Sequence, residues 1–356
     1  MALSLEDRLA VANRSLGRSV VAINPWARQE AATRREGYSY LGVKDDAGLP
    51  EGLIGRFRAS DDWLVLTVDH KADMGRSVDV ELTNPLTYWS MTGSTSGGPV
   101  NILKGVNDAC MGTDGGGSIL APALATNLFA LMGKGLGLVA EGMGRSTDGL
   151  AFRGGVGFIG RSLSLVVSAT EFACGRSLDG GELPEVVAPA VGTAALPGGG
   201  DMRQKADGFL AAADLVAGDA AFSDVYERTQ TVPELRALWG RDPTTCVVTF
   251  EGPIDVLSAD ETIPRGFGGV APGVVAGVRS KALCKSVNMA GGAAICIPTG
   301  ELACGLLISC GPGVEAARGA VRLARELAAH IELSKMLVRY FHDRTKPPST
   351  LALFEG

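Results

Sequence analysis

Histidine is nearly missing from this chain, with three in 356 residues, at positions 70, 330 and 342. A Ser-His-Asp triad would have to draw its base from those three. His330 and His342 fall in a charged C-terminal helical pattern of surface type, which leaves His70 as the one candidate. None of the three is spaced with another ligand as metal motifs require, so neither a metal nor another cofactor is expected. Basic clusters are also missing and the net charge is −6. Nucleic-acid binding through phosphate neutralisation is therefore not expected. The seven cysteines form no CxxC pair and sit mostly in apolar strings such as AAICIP and LLISCG. They read as buried free thiols in a reducing compartment. Aromatics are few, at 6%. No unbroken apolar run is long enough for a membrane span. The nearest, Ile119 to Ala140, is interrupted by Pro122, Asn127, Lys134 and glycines, and reads as a buried helix followed by a turn. The first residues carry acids early and lack an apolar signal-type core, which points to the cytoplasm.

Glycine is abundant, at 49 residues, roughly twice the usual share. Together with a 46% hydrophobic content, this gives a sizeable core with many tight turns and close backbone approaches. The densest glycine stretch is MGTDGGGSILAPA, Met111 to Ala123. Gly115, Gly116 and Gly117 run into Ser118, and an apolar run with Pro122 near its start follows, helical from about Ile119. A serine beside free amides at a helix start suits a nucleophile whose reaction builds negative charge on oxygen. Read locally, the same pattern also fits a helix cap or a phosphate cradle. No GKS or GKT follows the glycines, which counts against the cradle. With so little histidine, a lysine relay is the natural way to take the proton of Ser118.

Taken in order, Leu3 to Leu16 has helical spacing with Ser4 and Asp7 as a capping box. VVAIN (20–24) reads as a strand, and Pro25 opens a helix over 25–36. YSYLGVKDDAGLP gives a strand ending at Lys44, where a side chain can point into a site. Residues 51–76 are ambiguous apart from a strand at 63–68, after which Lys71 lies at a second strand end. NPLTYWSMT (84–92) reads as loop, and GSTSGGP (93–99) is a second glycine-serine turn before a short helix. The two turns lie at a distance along the chain that lets a helix and a strand bring them side by side. LSLVVSATEFACG reads as helix. Residues 179–203, rich in Pro, Gly and Ala, read as a long surface loop. Strands are expected at 244–250, 293–300 and 301–311, then a long helix over 314–342. The tail TKPPSTLALFEG carries an apolar LALF that could dock on a partner or on its own surface. No boundary is evident, so the expectation is one domain over 1–356, with 179–243 a variable insertion and 331–356 the helix end and tail.

These segments together resemble the amidase signature family of Ser-cisSer-Lys hydrolases. MGTDGGGSILAPA resembles its GTDxGGSIRxPA segment, which assigns the nucleophile to Ser118. NPLTYWSMTGSTSGG resembles its NP…GGSSGG segment, and GVKDDAGLP its VKD…GLP segment, which assigns the general base to Lys44. VGFIGRSL and SVNMAGGAAICIPTGELACGLLISCG resemble further family segments. The family's cis-serine falls on Thr95, which keeps a hydroxyl; Ser94 or Ser96 serves instead if the alignment slips by a residue. Leu120 stands where the family has arginine, and the chain is shorter than typical members. Lys71 is the alternative base. The resemblance implies an α/β fold with a large, mixed, twisted β-sheet flanked by helices on both faces. It further implies cleavage of a small-molecule amide through a Ser118 acyl-enzyme. The amides of Gly115, Gly116, Gly117 and Ser118 would form the oxyanion hole. Two alternatives remain at this point: a catalytically impaired protein of the same fold that binds a partner, and an acyl-transferring variant. No membrane or nucleic-acid partner is expected; a homo-oligomer or a partner subunit is left open.

Overall fold

The computed structural model describes residues 3–146 and 148–343. The tail from Thr345, with its LALF, lies outside the described residues. Apolar, β-branched runs bounded by turns form an eleven-stranded mixed sheet. We number its strands in chain order: β1 (Val20–Ile23), β2 (Ser39–Lys44), β3 (Trp63–Asp69), β4 (Ala109–Asp114), β5 (Phe129–Met132), β6 (Gly155–Gly160), β7 (Val186–Pro189), β8 (Gly218–Ala220), β9 (Cys246–Glu251), β10 (Ala293–Pro298) and β11 (Gly305–Cys310). Their spatial order is β1-β3-β2-β4-β6-β5-β10-β11-β9-β7-β8. β2 runs parallel to both β3 and β4, and β7 runs parallel to both β8 and β9. The central pairings from β4 through β6, β5, β10 and β11 to β9 are antiparallel.

Helices cover both faces of the sheet, and two large apolar clusters lie between them and the strands. One is centred on Phe57, Phe158, Phe250 and the helix Val314–Ala329; the other on Leu120, Leu124, Trp239 and Leu307. The strands β6, β9, β10 and β11 are buried along their whole length, as expected of strands covered on both faces.

Four expectations need correction. The apolar run after Ser118 does not continue as helix. It forms a six-residue helix, Leu120–Ala125, and then the strand β5. Asn127, at φ 48°, makes the turn between them and binds the 299–304 loop, donating to the carbonyls of Thr299 and Glu301 and accepting from the Ala303 amide. The stretch 179–203 is not all surface loop, because β7 lies inside it and is buried between β8 and β9. The C-terminal helix stops at Ala329, and a short helical turn resumes at Lys335 after a segment whose Ile331 and Leu333 still pack against the core. The region 84–92 also contributes a strand, Ser90–Thr92, which pairs with Val78–Thr83 in a small hairpin. Among the described residues, no helix is long and apolar enough to cross a membrane, and no group of three His, Cys, Asp or Glu side chains is placed to hold a metal.

Candidate active site

Lys44 is the last residue of β2, a strand held between β3 and β4, and its side chain is 2% exposed. Its amine donates to Ser94 Oγ at 2.8 Å and to Thr113 Oγ1 at 2.9 Å, and lies 3.2 Å from Asp46 Oδ2. Thr113 in turn donates to Asp46 Oδ2 at 2.7 Å. Burial lowers the Lys44 pKa from 10.5 to about 8; Asp46 pulls it back up, and Lys71 pushes it down. A neutral amine is therefore accessible near physiological pH. For Asp46 burial acts to raise the pKa, but Lys44 and the Thr113 hydroxyl outweigh it and hold the carboxyl at about 2.

The two glycine-serine turns do meet. Gly93 has φ +74°, and a Cβ there would come within 2.6 Å of Pro122 Cδ, so glycine lets the first turn close against the helix after Ser118. Gly112 serves the same purpose from the strand, since its Cβ would fall 2.8 Å from Thr95 Cγ2 and Oγ1. The three hydroxyls of the first turn then separate. Ser94 lines the cavity and meets Lys44. Thr95 is buried against Gly112, its Oγ1 at the long distance of 3.5 Å from the Thr113 carbonyl. Ser96 is buried, and its hydroxyl has no partner among the described residues. The peptide bonds flanking Ser94 are trans; among the described residues the cis bond is Gly252–Pro253.

Asp114 ends β4 fully buried and organises the second turn. Its Oδ1 accepts from the Gly117 amide at 2.7 Å. Its Oδ2 accepts from Ile119 at 2.7 Å and Leu120 at 3.3 Å. Burial raises its pKa against those three amides. The Gly117 N–H is thus already engaged, which removes it from the expected set of oxyanion donors. Among the described residues the amides of Gly115, Gly116 and Ser118 have no acceptor. Gly117 has φ +98° and packs on the Cys284 carbonyl.

Ser118, Ser94, Lys44, Thr113, Gly115 and Gly116 line one open cavity of about 810 Å³. Ser118 Oγ makes no hydrogen bond to Ser94 or to another described residue. Lys71 also reaches this cavity, 3.7 Å from Asp46 Oδ1, without touching Ser94. His70 is not in it; its Nε2 lies 3.0 Å from Asp79 Oδ2, tying the end of β3 to the small hairpin. Reasoning from sequence missed Asp46, Thr113 and Asp114. The signal for them was there in the charged and hydroxylic residues directly beside Lys44 and the glycines, in VKDD and GTDGGG.

No family model matches the chain, and no curated protein matches it in sequence. Solved structures do match in shape. An amidase aligns with a TM-score of 0.63 and 16% identity over 92% of this chain and 95% of its own. The 6-aminohexanoate cyclic dimer hydrolase in complex with substrate aligns with a TM-score of 0.67 and 14% identity over 94% and 95%. Allophanate hydrolase from Kluyveromyces lactis gives 0.61 and 13% over 98% and 75%. The chain therefore has the fold of these amide-cleaving enzymes: a large mixed sheet flanked by helices.

Proposed function

We propose that this protein is an amide hydrolase of the amidase-signature type, acting through Ser118, Ser94 and Lys44. The observation that carries the reading is the buried Lys44 amine, with its pKa near 8, hydrogen-bonded to Ser94 in the cavity that Ser118 also lines. Neutral Lys44 accepts the Ser94 proton as Ser94 accepts that of Ser118, and Ser118 Oγ bonds to the amide carbon. The carbonyl oxygen takes the negative charge and meets the amides of Gly115, Gly116 and Ser118. Each such donor is worth about 3 kcal/mol to the transition state. As the C–N bond breaks, the proton returns through Ser94 to the leaving nitrogen. Water then enters by the same base and releases the acid from the acyl-enzyme. The relay hydroxyl is Ser94 rather than Thr95, because Thr95 is turned into the packing against Gly112. Ser118 closes its hydrogen bond to Ser94 when substrate fills the cavity; apo sites commonly leave that bond open.

A fluorophosphonate probe tests this directly. We expect one adduct on Ser118, found by mass spectrometry of the digested protein, and none in a folded Ser118→Ala variant. A second reading, a binding protein of the same fold without turnover, draws on the open Ser118–Ser94 gap. No adduct on folded wild-type protein would decide for it.

A further inference from the structure

The cavity differs in charge from the rest of the molecule. The chain carries a net −6, yet the cavity lining holds eight Lys and Arg against six Asp and Glu. Most of those charges are already matched. Asp46 serves Lys44 and Thr113, and Glu261 accepts from Ser77. Asp260 accepts from the amides of Ser280 and Lys281 and pairs with Arg265. Glu227 accepts from Thr229, and Glu141 is exposed at the mouth. Several lining cations keep free donors among the described residues, Arg76 and Arg145 included, but the two that stand against the glycine turn are Arg228 and Lys285. Arg228 spends only its Nε, on Asp148 at 2.8 Å, and its two terminal nitrogens have no partner among the described residues. Lys285 Nζ makes no hydrogen bond or ion pair among them.

Both residues lie against the turn that carries Ser118. A Cβ on Gly116 would sit 2.6 Å from Arg228 Nη1, and one on Gly117 would sit 3.4 Å from Lys285 Cα. Both are held by buried contacts. Arg228 opens the helix Arg228–Arg241, and Thr231 in its first turn shares a 2.6 Å hydrogen bond with Ser286. Glu251, fully buried, accepts from the amides of Ala282 and Cys284 and so fixes the segment leading to Lys285.

From this geometry we infer that Arg228 and Lys285 form an anion-recognising subsite beside the glycine turn, so that the amide taken by this pocket carries a carboxylate or a phosphate group. The inference rests on the amide-hydrolase reading for its substrate class. Arg228 presents its planar fork, suited to two oxygens of one anion, and Lys285 adds a point charge. Burial lowers the Lys285 pKa, with Asp260 opposing. A bound anion would relieve that penalty, which is a gain that a neutral ligand does not offer.

Binding to the Ser118→Ala protein, measured by calorimetry, tests the subsite without requiring turnover. The probes are succinamate, glutaramate and adipamate, the phosphonate analogue of succinamate, and neutral isosteres of each in which a branched alkyl group replaces the anion. We expect at least one anionic amide to bind about tenfold or more tightly than its neutral counterpart, the worth of one hydrogen bond to a charged group. That preference should collapse in Lys285→Met and return in Lys285→Arg. The tighter of the carboxylate and phosphonate arms identifies the group. No anionic preference, no measurable binding by any anionic member, or a preference that survives Lys285→Met would overturn the inference. If the preference holds but wild-type Ser118 takes no fluorophosphonate, the subsite stands and the hydrolase reading fails.

Discussion

Removing the charge of Asp46 while keeping its shape should make the proposed enzyme faster at neutral pH. In the relay only the neutral Lys44 amine can accept a proton, so the rate of Ser118 labelling by fluorophosphonate should rise with pH and level off above the amine's pKa. Burial sets that pKa at about 8, and Asp46, 3.2 Å away, is the largest opposing influence. At pH 7 roughly one amine in ten is then neutral. An opposite charge at this range typically moves a pKa by a unit or more, so Asp46→Asn should bring it to about 7 or below. The neutral fraction at pH 7 rises to roughly one half, and labelling accelerates about fivefold. Above pH 9 wild type and variant should converge, since both amines are then neutral. Asparagine keeps one side-chain oxygen to accept from Thr113, while its NH2 takes the place of the oxygen that accepts from the Gly48 amide, so the contacts on the Lys44 side are the ones retained. The assay is the second-order labelling rate from pH 6 to pH 10, read by intact mass. A pH limb that stays in place or moves upward in Asp46→Asn would refute Lys44 as the base. Lys71, which lies on the other carboxylate oxygen of Asp46 and is one-third exposed, would then be the lysine to examine.

The two neighbouring hydroxyls can be separated by substitution. Ser94→Ala should slow labelling by about a hundredfold or more, the usual worth of a proton-transfer group, whereas Thr95→Val should leave it within a few-fold, with the same rate assay as the check. Asp114→Asn replaces one of two accepting oxygens with a donor facing a backbone amide, leaving at least one buried N–H unmatched. We expect a loss of about 2 kcal/mol in urea unfolding, together with slower labelling as the Gly117–Leu120 turn loosens.

The sequence made the strands legible where apolar residues stood between clear breakers. AAICIP and GLLISC are examples, and both are buried from end to end. It concealed β7 because four residues, Val-Val-Ala-Pro, sit in a stretch whose Pro and Gly content reads as loop; only its partners β8 and β9 make it a strand. It concealed the break after Ala125 for a different reason. An apolar run buried on every side shows no period, so helix and strand look alike until a turn residue decides. Asn127 was that residue, and its side chain is satisfied by a loop more than 170 residues away.

The site divides along the same line. The position of Lys44 was readable because a lysine at the end of an apolar strand is carried to the end of the sheet by the strand itself. Which hydroxyl it meets was not readable, because Ser94, Thr95 and Ser96 are chemically near-equivalent and adjacent in the chain. The choice among them is made by backbone direction. The left-handed Gly93 turns the chain over Pro122, and the missing side chain of Gly112 opens the space that Thr95 fills. Thr95 carries a methyl that packs, and Ser94 does not, so seating Thr95 in the apolar slot leaves the smaller hydroxyl facing the amine. On this argument the threonine in the expected serine position is no defect. It anchors the turn, and in the proposed relay the hydroxyl is carried one residue earlier.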